Sequence, residues 1–213
     1  MAGIPTNFQA ISNVLANYDF VDIVAGTGFI NFYAGRTVDL NLLSNFQFYC
    51  DTIFTKSAAL SKVDTKMLDI DFDVLLNRPL DVKGIGILNV PLRLEKDLTP
   101  ATVSAYVIAK LRKWDGVTET DIVTNTSRTA TYDGSLSEFS MLAIDLNTPL
   151  THFKIGEYIR LTLEIYGSYS SAGTSSGQFV SVGHDPKGRT AEFDTTGAVS
   201  SSTILQCPVR LNL

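Results

Sequence analysis

The sequence is poor in the residues that carry most enzyme chemistry. It has two histidines, two cysteines and one tryptophan in 213 residues. Two cysteines cannot build a disulfide framework, and Cys50 and Cys207 lack the CxxC spacing of a zinc site. Each lies in an apolar, strand-like run, so buried free thiols are expected, with a Cys50–Cys207 bridge left open should the first and last strands adjoin. Only His152 and His184 are available to a Ser-His-acid triad, and no GxSxG elbow, P-loop, HExxH helix or EF-hand loop is present. Gly173-Thr-Ser-Ser-Gly177 imitates a nucleophile loop but belongs to a low-complexity stretch. A glycosidase pair of Asp71 with Glu95 or Glu164 has no signature around it. No catalytic residue, cofactor or metal is therefore expected, and the chain reads as a non-enzyme.

Charge is scarce too. Charged residues make up 18% of the chain and the net charge is −5. The densest basic segment, Lys110, Arg112 and Lys113, alternates with apolar residues like a strand face, which argues against nucleic acid and anionic membrane as partners. There is no apolar run of the roughly 18 residues needed to span a membrane. The opening MAGIPTNFQA has neither the basic nor the apolar region of a secretion signal, so synthesis and assembly in a cytoplasm are expected.

What the sequence has is alternation. Hydrophobic residues make up 45%, and from about residue 20 they recur with a period of two, the pattern of half-buried strands. Strands are predicted at 20–24, 29–33, 46–56, 68–76, 84–94, 101–114, 139–146, 157–166 and 203–213. Segment 101–114 competes with a helix, since it lacks Gly and Pro, but its β-branched and aromatic residues and the Asp115-Gly116 turn favour a strand. Pro91 marks an edge or bulge. Residues 115–138 form a polar connection or projecting hairpin, and 167–177 a Gly/Ser-rich loop. One helix is expected at 6–17, capped by Thr6 or Asn7, with Phe8, Ile11 and Leu15 on one face. There is no βαβ rhythm and no repeat. The expected architecture is all-β: a single antiparallel β-sandwich of jelly-roll type over 19–213, preceded by an arm or short helix at 1–18.

Three features invite a function. Asp69, Asp71 and Asp73 share one strand face, roughly 7 Å from one to the next. Like charges so placed need solvent, cross-strand cations, a calcium ion or a neighbouring subunit. Trp114, beside the Asp115-Gly116 turn, is expected to be exposed and available for interaction. His184-Asp185-Pro186 reads as a structured turn to which the histidine is hydrogen-bonded, with Gly188 free to take positive φ.

Three longer stretches carry a resemblance. DFVDIVAGTGFINFYAG, KMLDIDFDVLLNRPLDVKGIGILNVPL, and HFKIGEYIRLTLEIYG with GHDPKGR, closed by LQCPVRLNL, resemble structural proteins of tailed phages from aquatic environments. The resemblance implies a virion component, a capsid decoration (cement) protein or a related head or tail-surface protein of jelly-roll-like fold. It implies partners in the major capsid protein and in copies of the chain itself, with a trimer favoured at three-fold positions. Residues 1–18, with Phe8, Ile11 and Leu15, would then dock against a neighbour, and the Asp69/Asp71/Asp73 row would meet another subunit. The alternative is a receptor- or carbohydrate-binding jelly roll of a tail or fibre, using Trp114.

Overall fold

The computed structural model describes residues 16–17, 27–96, 101–134, 137–171, 177–189, 193–194 and 199–210. Among them the chain is all-β, as the alternation predicts. Thirteen strands follow in order: β1 (Ala16–Asn17), β2 (Thr27–Arg36), β3 (Asn41–Ser44), β4 (Phe54–Lys56), β5 (Thr65–Leu75), β6 (Leu80–Glu95), β7 (Ala101–Trp114), β8 (Glu119–Thr126), β9 (Ala130–Tyr132), β10 (Ser137–Phe153), β11 (Tyr158–Ser171), β12 (Phe179–Gly183) and β13 (Ile204–Arg210).

Hydrogen bonding links them in the order β4-β12-β6-β13-β2-β3-β5-β11-β7-β8, with β10 on β6, β9 on β7 and β1 on β2. Pairing is antiparallel except for one parallel contact, Leu42 with Asp73, which joins two halves of the path. The sheet is therefore mixed, a departure from the purely antiparallel expectation. The inward residues of both halves meet in one core: Leu88, Val90 and Leu92 of β6 and Leu142, Ile144 and Leu146 of β10, with Val107 and Leu111 of β7 and Ile159, Leu161 and Ile165 of β11. Each such side chain contributes about 1.5–3 kcal/mol by leaving water.

The predicted strand 101–114 matches β7 end to end, with Val103, Ala105, Val107, Ala109 and Leu111 inward. Two prolines explain how β6 changes partner. On one side β6 pairs with β13 up to Asn89 and with β12 from Leu92 on, so Pro91 stands where no ladder needs its missing N–H. Pro208 lies in a register shift of β13 against β6, between Gln206 and Val209. Gly86 makes room for it: a Cβ there would lie 2.8 Å from the Gln206 carbonyl and 3.1 Å from Pro208 Cδ.

Other expectations are corrected. Of the predicted strand 46–56, only Phe54–Lys56 is strand. The preceding residues meet β2 through one isolated bridge, Arg36 with Thr52, and otherwise through side chains, because Gly35 leaves space that a Cβ would close to 2.5 Å from Phe48 Cζ and 2.7 Å from Cys50 Sγ. The Gly/Ser-rich 167–177 is not all loop, since β11 continues to Ser171 with Tyr169 buried. Residues 115–138 supply β8 and β9, both laid back on β7. Ala16 and Asn17, the end of the predicted helix, are β-paired to Ile30 and Phe29. The rest of that helix, with Phe8, Ile11 and Leu15, and the predicted strand 20–24 lie outside the described residues.

Candidate functional site: two sheet faces and a buried turn

The outer face of β5, β11, β7 and β8 is a charged lattice. Register sets Asp73 beside Arg160 and Arg160 beside Arg112, and it sets Asp71 beside Thr162 and Asp69 beside Glu164. Arg160 donates twice to Asp73, at 2.7 Å through both Nε and Nη2. Its Nη1 reaches Glu119 and lies 3.6 Å from Asp71. Thr162 Oγ1 donates to Asp71, and Lys66 pairs with Asp69 at 2.6 Å. Arg112 bridges Glu119 at 2.9 Å and Asp121 at 2.7 Å. Lys110, 2.9 Å from Glu164, is the main cause holding that carboxyl below its ordinary range. The hydrogen bond to Asp73 does most to raise the Arg160 pKa.

The like-charge problem of the Asp69, Asp71 and Asp73 row is thus answered within the chain: by cross-strand Arg160 and Thr162 for Asp73 and Asp71, and by Lys66 of the same strand for Asp69, whose cross-strand neighbour is Glu164. Among the described residues, no group of three or more acidic, histidine or cysteine side chains is arranged to hold a metal. Trp114 stands at the end of this lattice but is half-buried: Arg160 covers its ring at 4.1 Å and Tyr158 packs against it at 4.6 Å. It is an anchor for the arginine rather than the freely exposed ring expected.

The opposite outer face, on β2, β13, β6 and β10, carries exposed apolar side chains among polar ones such as Lys83, Asp145 and Asn147. Outward-pointing Phe29, Ile85, Ile87 and Met141 are 37%, 58%, 42% and 36% exposed. Register places Phe29 beside Pro208, Ile87 beside Gln206 and Asp145, and Met141 beside Pro91. Alternation alone marks these strands but does not tell which face meets solvent, so this strip was not legible in the sequence.

Between β12 and β13 lies a buried polar knot. His184 and Asp185 are fully buried. Asp185 accepts from Arg189 Nε at 2.8 Å and from the Arg189 and Lys187 backbone N–H groups, while Gly188 takes φ +63° as anticipated. His184 Nε2 is 2.9 Å from Thr55 Oγ1 on β4, so the imidazole is tied to a neighbouring strand rather than to its own turn. Its Nδ1 has no hydrogen-bond partner among the described residues. Thr55 and His184 resemble a nucleophile and base, yet the imidazole is buried and, among the described residues, no hydrogen-bond partner orients Nδ1. Cys50 and Cys207 are both free and buried, and burial pushes the Cys207 thiol up to about 12, which leaves it inert. A shallow depression of about 260 Å³ is bordered by Lys56, Arg93, Glu95 and Phe179. Lys56 and Arg93 reach Glu95 at 2.6 and 2.5 Å, and Lys96, also on its border, donates to the Ala101 and Asp133 carbonyls, so each of its three cations is engaged within the chain.

No protein-family model and no curated protein matches the chain. Solved structures do. A CocE/NonD family hydrolase from Staphylococcus aureus aligns with TM-score 0.53 at 12% identity, over 87% of this chain and 37% of its own. An α-amino acid ester hydrolase aligns with TM-score 0.55 at 12% identity, over 85% of this chain and 36% of its own. The chain therefore spans little more than a third of the hydrolases it matches, and what it shares with them is the fold. A chain of infectious bursal disease virus aligns at TM-score 0.27, 13% identical, over 82% of this chain and 39% of its own, too low to bear on anything here.

These neighbours overturn the expectation of a non-enzyme. That reading rested on missing motifs, and a fold that makes up about a third of hydrolase chains does not need to hold those motifs itself.

Proposed function

We propose that this chain is an assembly module of a virion shell, a capsid decoration component that associates with copies of itself and with the major capsid protein. The observation that supports this reading is the apolar strip of Phe29, Ile85 and Ile87. Large apolar side chains gathered on one sheet face and left open to water mark an interaction surface more often than chance exposure. Strip residues on rigid, doubly paired strands lose little entropy on docking, which favours such a face over a loop. The charged lattice on the other side keeps that surface wet and gives the module two unlike faces, as a layer between shell and solvent requires.

The test is a double variant, Ile85→Lys with Ile87→Lys. Both side chains are largely outside the core, so the thermal midpoint is expected to move by only a few degrees. Self-association, read by analytical ultracentrifugation, and co-sedimentation with empty phage shells should both fall at least tenfold. Unchanged association removes the support for this reading.

A second reading follows from the hydrolase likeness: the fold as one part of a larger hydrolytic protein. Turnover of an amino-acid ester by the purified chain, above a heat-inactivated control, moves the function there. The carbohydrate-binding alternative loses its platform, since one face of Trp114 is taken by Arg160.

A further inference from the structure

We propose that His184 is a proton-operated latch: its neutral ring ties β4 to the turn after β12, and protonation releases that tie. The geometry is that of a joint held at few points. β4 is three residues long and, among the described residues, pairs with β12 alone, through Phe54, Thr55 and Lys56. Around it, the segment 50–56 is fastened to the 184–189 turn by a small set of bonds. The His184 N–H donates to the Ile53 carbonyl at 2.9 Å, and Arg189 Nη2 donates to the Cys50 carbonyl at 2.9 Å. The Cys50 thiol makes a weak 3.8 Å contact with the His184 carbonyl, and the Thr55–His184 side-chain bond completes the set.

The imidazole at the centre of this joint is fully buried, with its ring 6.0 Å from that of Phe72. Among the described residues, the charged and titratable groups near it are Arg36 from β2, Cys50 from the segment before β4, and Asp185 and Arg189 from its own turn; β5 packs Phe72 against the ring. Asp185 is already saturated by Arg189 and backbone N–H groups, so it is not free to receive a second cation. A proton on His184 would turn both ring nitrogens into donors. Nε2 has Thr55 to accept from it, but Nδ1 makes no hydrogen bond among the described residues and has only the histidine's own carbonyl to turn to. A buried, half-satisfied imidazolium is costly, and the cheapest relief is for the ring to swing to water.

Burial is the main cause that lowers the pKa of His184 to about 4, and Arg36 adds to it, while the histidine's own backbone and Asp185 offset part of the shift. The sign follows. Above pH 6.5 the ring is neutral in folded and unfolded chain alike and has no effect. As pH falls from 6.5 towards 4, the unfolded chain binds a proton that the folded joint refuses, so stability drops. Over that window one such group raises the opening constant about tenfold per pH unit, roughly 300-fold in all. The same release loosens segment 50–56 between its outer fastenings, the Arg36–Thr52 bridge and the Ser57–Val180 bonds, and weakens the pairing that covers the edge of β12, a row of backbone donors and acceptors.

The experiment is proton NMR titration with amide exchange on the whole chain, His152→Gln serving to assign the two histidine signals. The His184 ring is expected to stay neutral down to about pH 4. As pH falls through the window, exchange of the His184 amide and of β4, corrected for intrinsic rates, should accelerate at least tenfold relative to β11. In His184→Gln that acid step should vanish. Should this variant not fold, Thr55→Val is used: β4 should exchange at its acid rate already at neutral pH. A ring that titrates near 6.5 with no amide response, or an acid step that survives in His184→Gln, overturns the latch.

Discussion

At the scale of residues, two positions decide more than their size suggests. Gly35 is pressed by Phe48, Cys50 and Pro186, all within 2.8 Å of where a Cβ would stand. Gly35→Ala should therefore cost roughly 1–3 kcal/mol through forced repacking, seen as a lower urea midpoint at unchanged slope. Arg160 is the hub of the charged lattice, with side-chain exposure of only 12%. Exposed ion pairs are worth little, but this one is bidentate and half enclosed. Arg160→Gln leaves Asp73 and Asp71 facing each other without their cation and uncovers Trp114. A loss of roughly 1–3 kcal/mol is expected, together with a red-shifted tryptophan emission. The carboxylate row was visible in the sequence because a period of two must stack alternate residues on one face. Its partners were not, since Arg160 lies 87 residues beyond Asp73 and only strand pairing brings them together.

Among the elements, long strands were legible and short ones were not. β7 and β11 announce themselves by strict alternation, and each packs its inward residues fully into the core. β3 and β12, of four and five residues, are too short to show a period, and their pairing with other strands, not their own sequence, makes them strands. The opposite error at 46–53 has the same root: FQFYC alternates, but Gly35 offers it a side-chain bed instead of a ladder. This difference has a dynamic consequence. β11 is paired on both sides along most of its length, whereas β3 meets β5 at a single residue pair and β4 has one partner. Local opening follows such contact density. Hydrogen exchange at neutral pH is expected to release β3 and β4 first and the amides of β11 and its β7 neighbours last, near the global unfolding limit.

For the whole molecule, the unlike outer faces matter most. One is a lattice of matched charges, and the other carries Phe29, Ile85 and Ile87. All-β architecture follows from composition and period alone. Which face would be wet and which apolar does not, because it depends on which strands neighbour each other across the sheet. The fold itself is shared with parts of hydrolases, so fold does not select the function, and the surface has to. The most direct measurement is electron cryomicroscopy of empty phage shells incubated with the purified chain. Ordered density for the chain is expected at repeating lattice positions, with the Ile85 and Ile87 face against the shell and the Arg160 lattice outward. Bare shells at saturating protein, with the chain monomeric in the surrounding solution, would contradict it.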